Sequence, residues 1–207
     1  MTAGLALADA RGLNGVTMRA LGESLGVEAM SLYHHVANKE ALLDAMVDHV
    51  FSDVAVPIDV PWRDAVEARC RSLRQVLTRH PWALALLESR RNPGPATLAH
   101  HDRVLGALRD GGFDVAAAAH AVSFIDAYVF GFVLQEQSLP ITEPQELDAM
   151  ATDLMAAEMA AAYPHLAELV AGHASLPGYS YAAEFEVGLP LVLNALENLR
   201  PDGTSRR

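Results

Sequence analysis

Apolar positions recur along this chain at steps of three and four, and runs that alternate apolar with polar are absent. The pattern predicts helices throughout, punctuated by glycine and proline. Up to about residue 55 the helical runs are short. Val56-Pro57-Ile58-Asp59-Val60-Pro61 then interrupts them, and longer, more apolar runs follow. That interruption is the expected domain boundary, dividing residues 1–55 from residues 56–207. Beyond it, Trp62–Arg79 reads as one helix ended by His80-Pro81, with a shorter one over Trp82–Arg90. Ala96–Asp110 closes at Gly111-Gly112, where a helix end calls for left-handed backbone. Asp114 stands where an N-cap belongs and opens an apolar helix to about Ser138. A helix near Pro144–Tyr163, a loop over Gly172–Ser180 and a last helix over Tyr181–Leu199 follow. The fold class is all-α.

Two of these helices carry unusually wide stripes. Phe185, Leu189, Val192, Leu196 and Leu199 recur on the last one, and Val122, Ile125, Val129 and Phe132 on the long central one, whose opposite side is also apolar. A helix apolar nearly all round must be covered on all sides. A second subunit is the expected cover, two helices from each chain meeting as a four-helix bundle, so these residues are the candidate dimer interface. An ordinary internal core is the alternative. Val115–Leu134 also has the length of a membrane span, but it contains His120 and Asp126. An ionised Asp near a bilayer centre costs roughly 2.5–3.5 kcal/mol on insertion scales. No membrane partner is expected. Cys70 is the only cysteine, and the N-terminus lacks a basic segment before an apolar core; a cytoplasmic protein follows.

The sharpest signal lies in residues 13–48. Thr17 can cap a short helix whose inner face is Met18 or Leu21 with Leu25, and Gly26 permits a tight turn. Val27 and Leu32 are expected to pin a second short helix. Asn38 caps a third, whose Leu42, Leu43, Met46 and Val50 face inward. A helix of about seven residues is not stable alone in water, so the scaffold exists to present it. Two short helices joined through a glycine, the second offering small, polar and aromatic side chains, describe a helix-turn-helix for the major groove.

Thr17-Met18-Arg19-Ala20-Leu21, Leu25-Gly26-Val27, Ser31-Leu32-Tyr33-His34-His35-Val36 and Asn38-Lys39-Glu40-Ala41-Leu42-Leu43-Asp44 resemble the DNA-binding domain of the tetracycline repressor (TetR) family of bacterial transcriptional regulators. More weakly, Leu108–Phe113, Tyr128–Gly131 and Glu184–Leu189 are similar to the C-terminal ligand-binding domain of the branch that includes the tetracycline repressor. The resemblance implies an N-terminal three-helix DNA-binding domain and a larger helical domain for effector binding and dimerisation. It places Thr17, Tyr33 and Lys39 against phosphates and Arg19 against phosphate or a base edge. Ala29, Met30, Ser31 and His34 would face bases, with His35 as a buttress. A partly buried His34–His35 pair without a DNA role is the alternative. Family members usually start with a longer first helix behind a basic arm; only about ten residues precede Gly12 here, so either the start is truncated or the protein binds with fewer charges and without arm contacts to phosphate.

The resemblance further implies a small-molecule effector, for which Arg69, Leu73, Leu87, His101, Val104, Val122, Asp126, Phe130 and Gln135 are candidates. The family's magnesium–tetracycline site is not expected. Its histidine position falls near Leu87-Glu88, and its glutamate is Gln135. No cofactor and no metal are expected: the histidines show no helical ligand spacing, and no nucleophile elbow or phosphate-binding glycine loop occurs, so no enzymatic role is read. Met150, Met155 and Met159 read as core or pocket lining, Trp62 and Trp82 as packing anchors, and Cys70 as a buried thiol.

Charge complicates the picture. Lys and Arg total 15 against 26 Asp and Glu, a net charge of −11. With 51% apolar and 20% charged residues the chain is not disordered, and it does not coat nucleic acid through bulk charge. A few placed contacts and helix N-termini must position the recognition helix instead. The resulting reading is a homodimeric repressor that an effector releases from a pseudo-palindromic operator. The alternative is an all-α ligand-binding or dimerising adaptor with a vestigial helix-turn-helix.

Overall fold

The computed structural model describes residues 1–87, 93–139 and 157–201, the side chains of 157–159 excepted. Helix α1 spans Thr2–Gly15 and is broken at Gly12, whose φ of 65° and ψ of 179° are not helical. Helices α2 (Met18–Leu25), α3 (Ala29–Leu32) and α4 (Lys39–Ser52) follow. The two expected caps are in place: Thr17 Oγ1 accepts from the Ala20 N–H at 3.0 Å, and Asn38 Oδ1 from the Ala41 N–H at 2.8 Å. Each removes an orphan donor from a helix start. Val16, Met18, Leu21, Leu32, Leu42, Leu43, Met46 and Val50 are buried around these helices.

Beyond the proline segment run α5 (Trp62–Arg79), α6 (Pro81–Leu87), α7 (Pro95–Asp110) and α8 (Val115–Ser138). Asp114 caps α8, accepting from the Ala117 N–H at 2.8 Å. Both tryptophans anchor packing. Trp62 meets Phe113 edge-on, ring centroids 4.9 Å apart, and Trp82 is buried with its indole N–H donating to Asp9 Oδ1 at 2.6 Å. Cys70 is fully buried. Helices α9 (Ala157–Ala162) and α10 (Pro164–Leu169) come next, and α11 spans Tyr181–Glu197. The expected loop over Gly172–Ser180 starts later than its glycine suggests, because α10 continues into a π-turn over Val170–Ala174. Met150, Met155 and most of the helix expected near Pro144–Tyr163 lie outside the described residues, as does the Met159 side chain.

The chain divides into two compact units. One holds Met1–Val133 with the chain from Val192 onward, the other Leu134–Leu191. The first is built on Ala65, Val66, Cys70, Leu73 and Leu77 of α5, Val104 and Leu108 of α7, and Ala121, Ile125 and Val129 of α8. In the second, Val170, Phe185 and Leu189 are buried, and His173 Nε2 meets Glu184 Oε1 at 2.7 Å.

Candidate nucleic-acid interface and effector cavity

Helices α2 and α3 are set against each other by two glycines. Gly26, at φ 69° and ψ 29°, ends α2 in the left-handed region and redirects the chain. Gly22 fixes the closeness. A Cβ there would lie 2.8 Å from Val27 O and 3.2 Å from Ala29 N, so the start of α3 can approach α2 only because position 22 is bare. The Val27 N–H donates to Gly22 O across this contact at 3.0 Å. Sequence reasoning marked Gly26 but missed Gly22, which no periodicity signals.

Only four residues form α3. Leu32 is buried beneath it, Ala29 is half-buried, and Met30, Ser31, His34 and His35 are exposed, Met30 at 74%. Ser31 Oγ donates to Glu28 O at 2.7 Å. Tyr33 is exposed beside them, and Lys39 is half-buried as the first residue of α4. Arg19 projects from α2 with its Nε donating to Glu23 Oε1 at 2.9 Å. Leu25 and Val27, expected as core, are exposed at 51% and 45%. They sit at the turn itself, and a one-turn α3 is pinned by Leu32 alone, leaving Met18 and Leu21 to supply the inner face of α2.

In the same unit a cavity of about 330 Å³ opens between α4, α7 and α8. Val47, Phe51, Leu87, Leu98 and Phe130 form its apolar wall, and Asp44, Thr97, His101 and Asp126 its polar one. Of the candidate effector residues, Leu87, His101, Asp126 and Phe130 line it. Arg69 does not; it is buried and pairs with Asp126, Nη1 to Oδ1 at 2.6 Å. Arg69 Nε donates to His100 Nε2 at 3.2 Å. That leaves the His100 proton on Nδ1, a buried donor without a partner. Burial first, and the Arg69 charge second, pull the His100 pKa down to about 3. Burial likewise pushes the neighbouring Cys70 thiol up to about 11, so it stays protonated. Leu73 and Val104 are corrected to core: both are buried on the inner faces of α5 and α7, outside the lining. Val122 is half-buried outside it as well. Gln135 belongs to the other unit, where the Tyr181 hydroxyl donates to its Oε1.

Helix α4 is tied to its neighbour at the cavity edge. Gly94 starts α7 without a side-chain cap of its own. Asp48 of α4 supplies one, its Oδ1 accepting from the Thr97 N–H at 2.8 Å and the Thr97 hydroxyl at 3.0 Å. A carboxylate also suits the positive end of a helix. A second tie runs from α1 to the α5–α6 junction, where Asp9 Oδ1 accepts from His80 Nδ1 at 2.8 Å as well as from Trp82.

Residues 1–46 match the family described as bacterial regulatory proteins, tetR family, and residues 57–200 match the tetracyclin repressor-like C-terminal domain. The chain belongs to the TetR family. An HTH-type transcriptional regulator of Saccharopolyspora erythraea is 38% identical over 194 residues, which cover 91% of this chain and 78% of the relative. The class C tetracycline repressor protein of Escherichia coli is 31% identical over 91% of this chain and 84% of its own length. Among solved structures, the TetR family protein ActR of Streptomyces coelicolor in complex with actinorhodin superposes with a TM-score of 0.79 at 30% identity, over 97% of this chain and 95% of that one. This TetR chain is accordingly a ligand-responsive, DNA-binding transcriptional regulator with an all-α fold.

One prediction about the TetR chain needs correcting. The stripe expected to meet a second subunit turns inward. Ile125, Val129, Phe132, Phe185, Leu189 and Leu196 are buried within the single chain, and Val122, Val192 and Leu199 are half-buried. Apolar residues left in solvent include Val115, Phe124 and Leu134 of α8, at 72%, 57% and 57%, and Val187 and Leu191 of α11, at 62% and 64%. A helix apolar on both sides carries two stripes, and periodicity alone does not say which one the subunit keeps for itself. Among the described residues α8 is also the one helix long and apolar enough to cross a membrane, yet it contributes Asp126 to a buried ion pair.

Proposed function

We propose that two copies of this chain form a cytoplasmic repressor dimer, set their α3 turns in successive major-groove segments of a pseudo-palindromic operator, and let go when a small molecule fills the cavity beside α4. The functional division falls at residues 55 and 56: the first part reads DNA, the second binds effector and dimerises. Family matches that stop at residue 46 and resume at 57 support this. The exposed row containing Leu134, Val187 and Leu191 contributes to the dimer face. On the operator, Thr17, Tyr33 and Lys39 hold phosphates and Arg19 a phosphate or base edge. Ala29, Met30, Ser31 and His34 meet the bases, with His35 beside them as a buttress.

The observation that carries this reading is the span of α4. Its first residue is Lys39, at the DNA face, while Asp44, Val47 and Phe51 farther along wall the cavity and Asp48 caps α7. Fourteen helical residues extend about 20 Å. A ligand pressing on the far half of this rod tilts the near half, and a tilt in each subunit changes the spacing of the two α3 turns. Coupling of this kind is typically worth about 1–3 kcal/mol.

Replacing Tyr33 and Lys39 together by alanine tests the DNA face. Fluorescence anisotropy on duplex DNA from the gene's own upstream region should show at least a tenfold loss of affinity, with dimer and fold unchanged by light scattering and circular dichroism. An adaptor with a vestigial helix-turn-helix would show no DNA phenotype.

A further inference from the structure

Helix α6 is bonded to α1 through a single carboxylate oxygen. Asp9 Oδ1 accepts from the Trp82 indole N–H at 2.6 Å and, because an ionised carboxylate only accepts, from the His80 Nδ1–H at 2.8 Å as well. The two donors stand on either side of a bend. His80 is the non-helical residue that ends α5, at φ −122° and ψ 69°, and Trp82 is the second residue of α6. Both are buried, whereas Asp9 is partly open. A turn of α6 about His80 displaces Trp82 and leaves His80 in place, so one oxygen keeps both bonds only if α1 moves too. The packing beside these bonds is loose: a cleft of about 540 Å³ opens between Asp9, Gly12 and Asn14 of α1 and Pro81 and Trp82 of α6.

Both ends of this connection lead to functional residues. The seven residues of α6 extend about 10 Å, with Trp82 near one end and Leu87, at the other, in the cavity wall. From Asp9, α1 runs back to Gly4, where it lies against α4: a Cβ there would stand 3.3 Å from Met46 Sδ and 3.7 Å from Leu42 Cδ1. Leu42 and Met46 are buried on the half of α4 that begins at Lys39. We propose that Asp9 is a positioning residue for DNA release: it passes the displacement of α6 by a filled cavity to α1, and through α1 to the Lys39 end of α4, in addition to the direct push on α4. This rests on the cavity being the effector site.

A bulky side chain can fill the cavity in place of a ligand. Leu87→Trp should lower the affinity of the full chain for its upstream duplex about tenfold by fluorescence anisotropy, within the range usual for allosteric coupling. In an Asp9→Leu background, which lacks the acceptor, the same substitution should cost roughly threefold at most. Asp9→Asn keeps an oxygen for both donors and should restore the tenfold loss. Trp82→Phe keeps a ring but gives up one bond; it should fall between, and it replaces Asp9→Leu if circular dichroism shows that variant unfolded. Phe130→Trp fills the same space from α8 and replaces Leu87→Trp on the same terms. A tie that only stabilises the fold would lower the melting temperature and leave the tenfold loss equal in every background. That result overturns the assignment of Asp9 while the cavity stands as the release site. A parent chain indifferent to both cavity-filling substitutions overturns the cavity reading, and this role of Asp9 with it.

Discussion

The residues that decide most are those whose partners lie far off in sequence. Arg69 and Asp126 were both legible as polar groups among apolar neighbours. Their pairing was not, nor was the role of His100 as acceptor to Arg69, because each depends on how α5, α7 and α8 pack. Leu25 and Val27 show the opposite error. They look like core in the sequence, but an element as short as α3 has no phase for periodicity to fix. The His100 environment has a measurable consequence. Its folded pKa of about 3 lies below the ordinary value of 6.5, so the unfolded chain takes up this proton first as pH falls. The stability it contributes is therefore whole above about pH 6.5 and is lost progressively as pH drops toward 3. Replacing His100 by glutamine keeps an acceptor for Arg69 and removes the titration. Urea unfolding midpoints measured from pH 7 to pH 4 should fall less steeply in His100→Gln than in the parent.

At the scale of elements the sequence was informative about starts and stops and weak about facing. Thr17, Asn38 and Asp114 all cap the helices they were expected to cap, and α5 has the bounds read from its pattern. Capping is local chemistry, set within three or four residues. The facing of α8 and α11 is not local, which is why the pattern did not say which of two apolar stripes the single chain buries. The correction separates two kinds of substitution. Leu134→Asp or Leu191→Asp should yield a folded monomer by light scattering, since both side chains are exposed in the single chain. Ile125→Ala or Leu189→Ala should instead cost about 2–5 kcal/mol of stability, as buried large-to-small changes do, without preferentially dissociating the dimer. In the proposed mechanism the Asp48–Thr97 cap is the corresponding link for signalling, since it joins the helix that carries Lys39 to one that walls the cavity.

For the molecule as a whole, the acidic balance remains the feature that any account of DNA binding must satisfy. Residues 1–50 hold Arg11, Arg19 and Lys39 against Asp9, Glu23, Glu28, Glu40, Asp44 and Asp48. Arg19 is in addition paired with Glu23, an exposed contact worth only a few tenths of a kcal/mol and therefore easily exchanged for a phosphate. Binding must then rest on a few placed groups and on base contacts, with little from a general positive field. If Arg19 and Lys39 of each subunit are the cations that meet phosphate, the plot of log K against log salt has a slope of about −4. The decisive measurement is fluorescence anisotropy of the full chain on its own upstream duplex and on a scrambled duplex, across a salt titration. The account predicts a marked preference for the upstream duplex that persists as salt rises, a slope of about −4, and very weak binding to the scrambled DNA. Equal affinity for both duplexes, or a slope of about −8 or steeper, would contradict it.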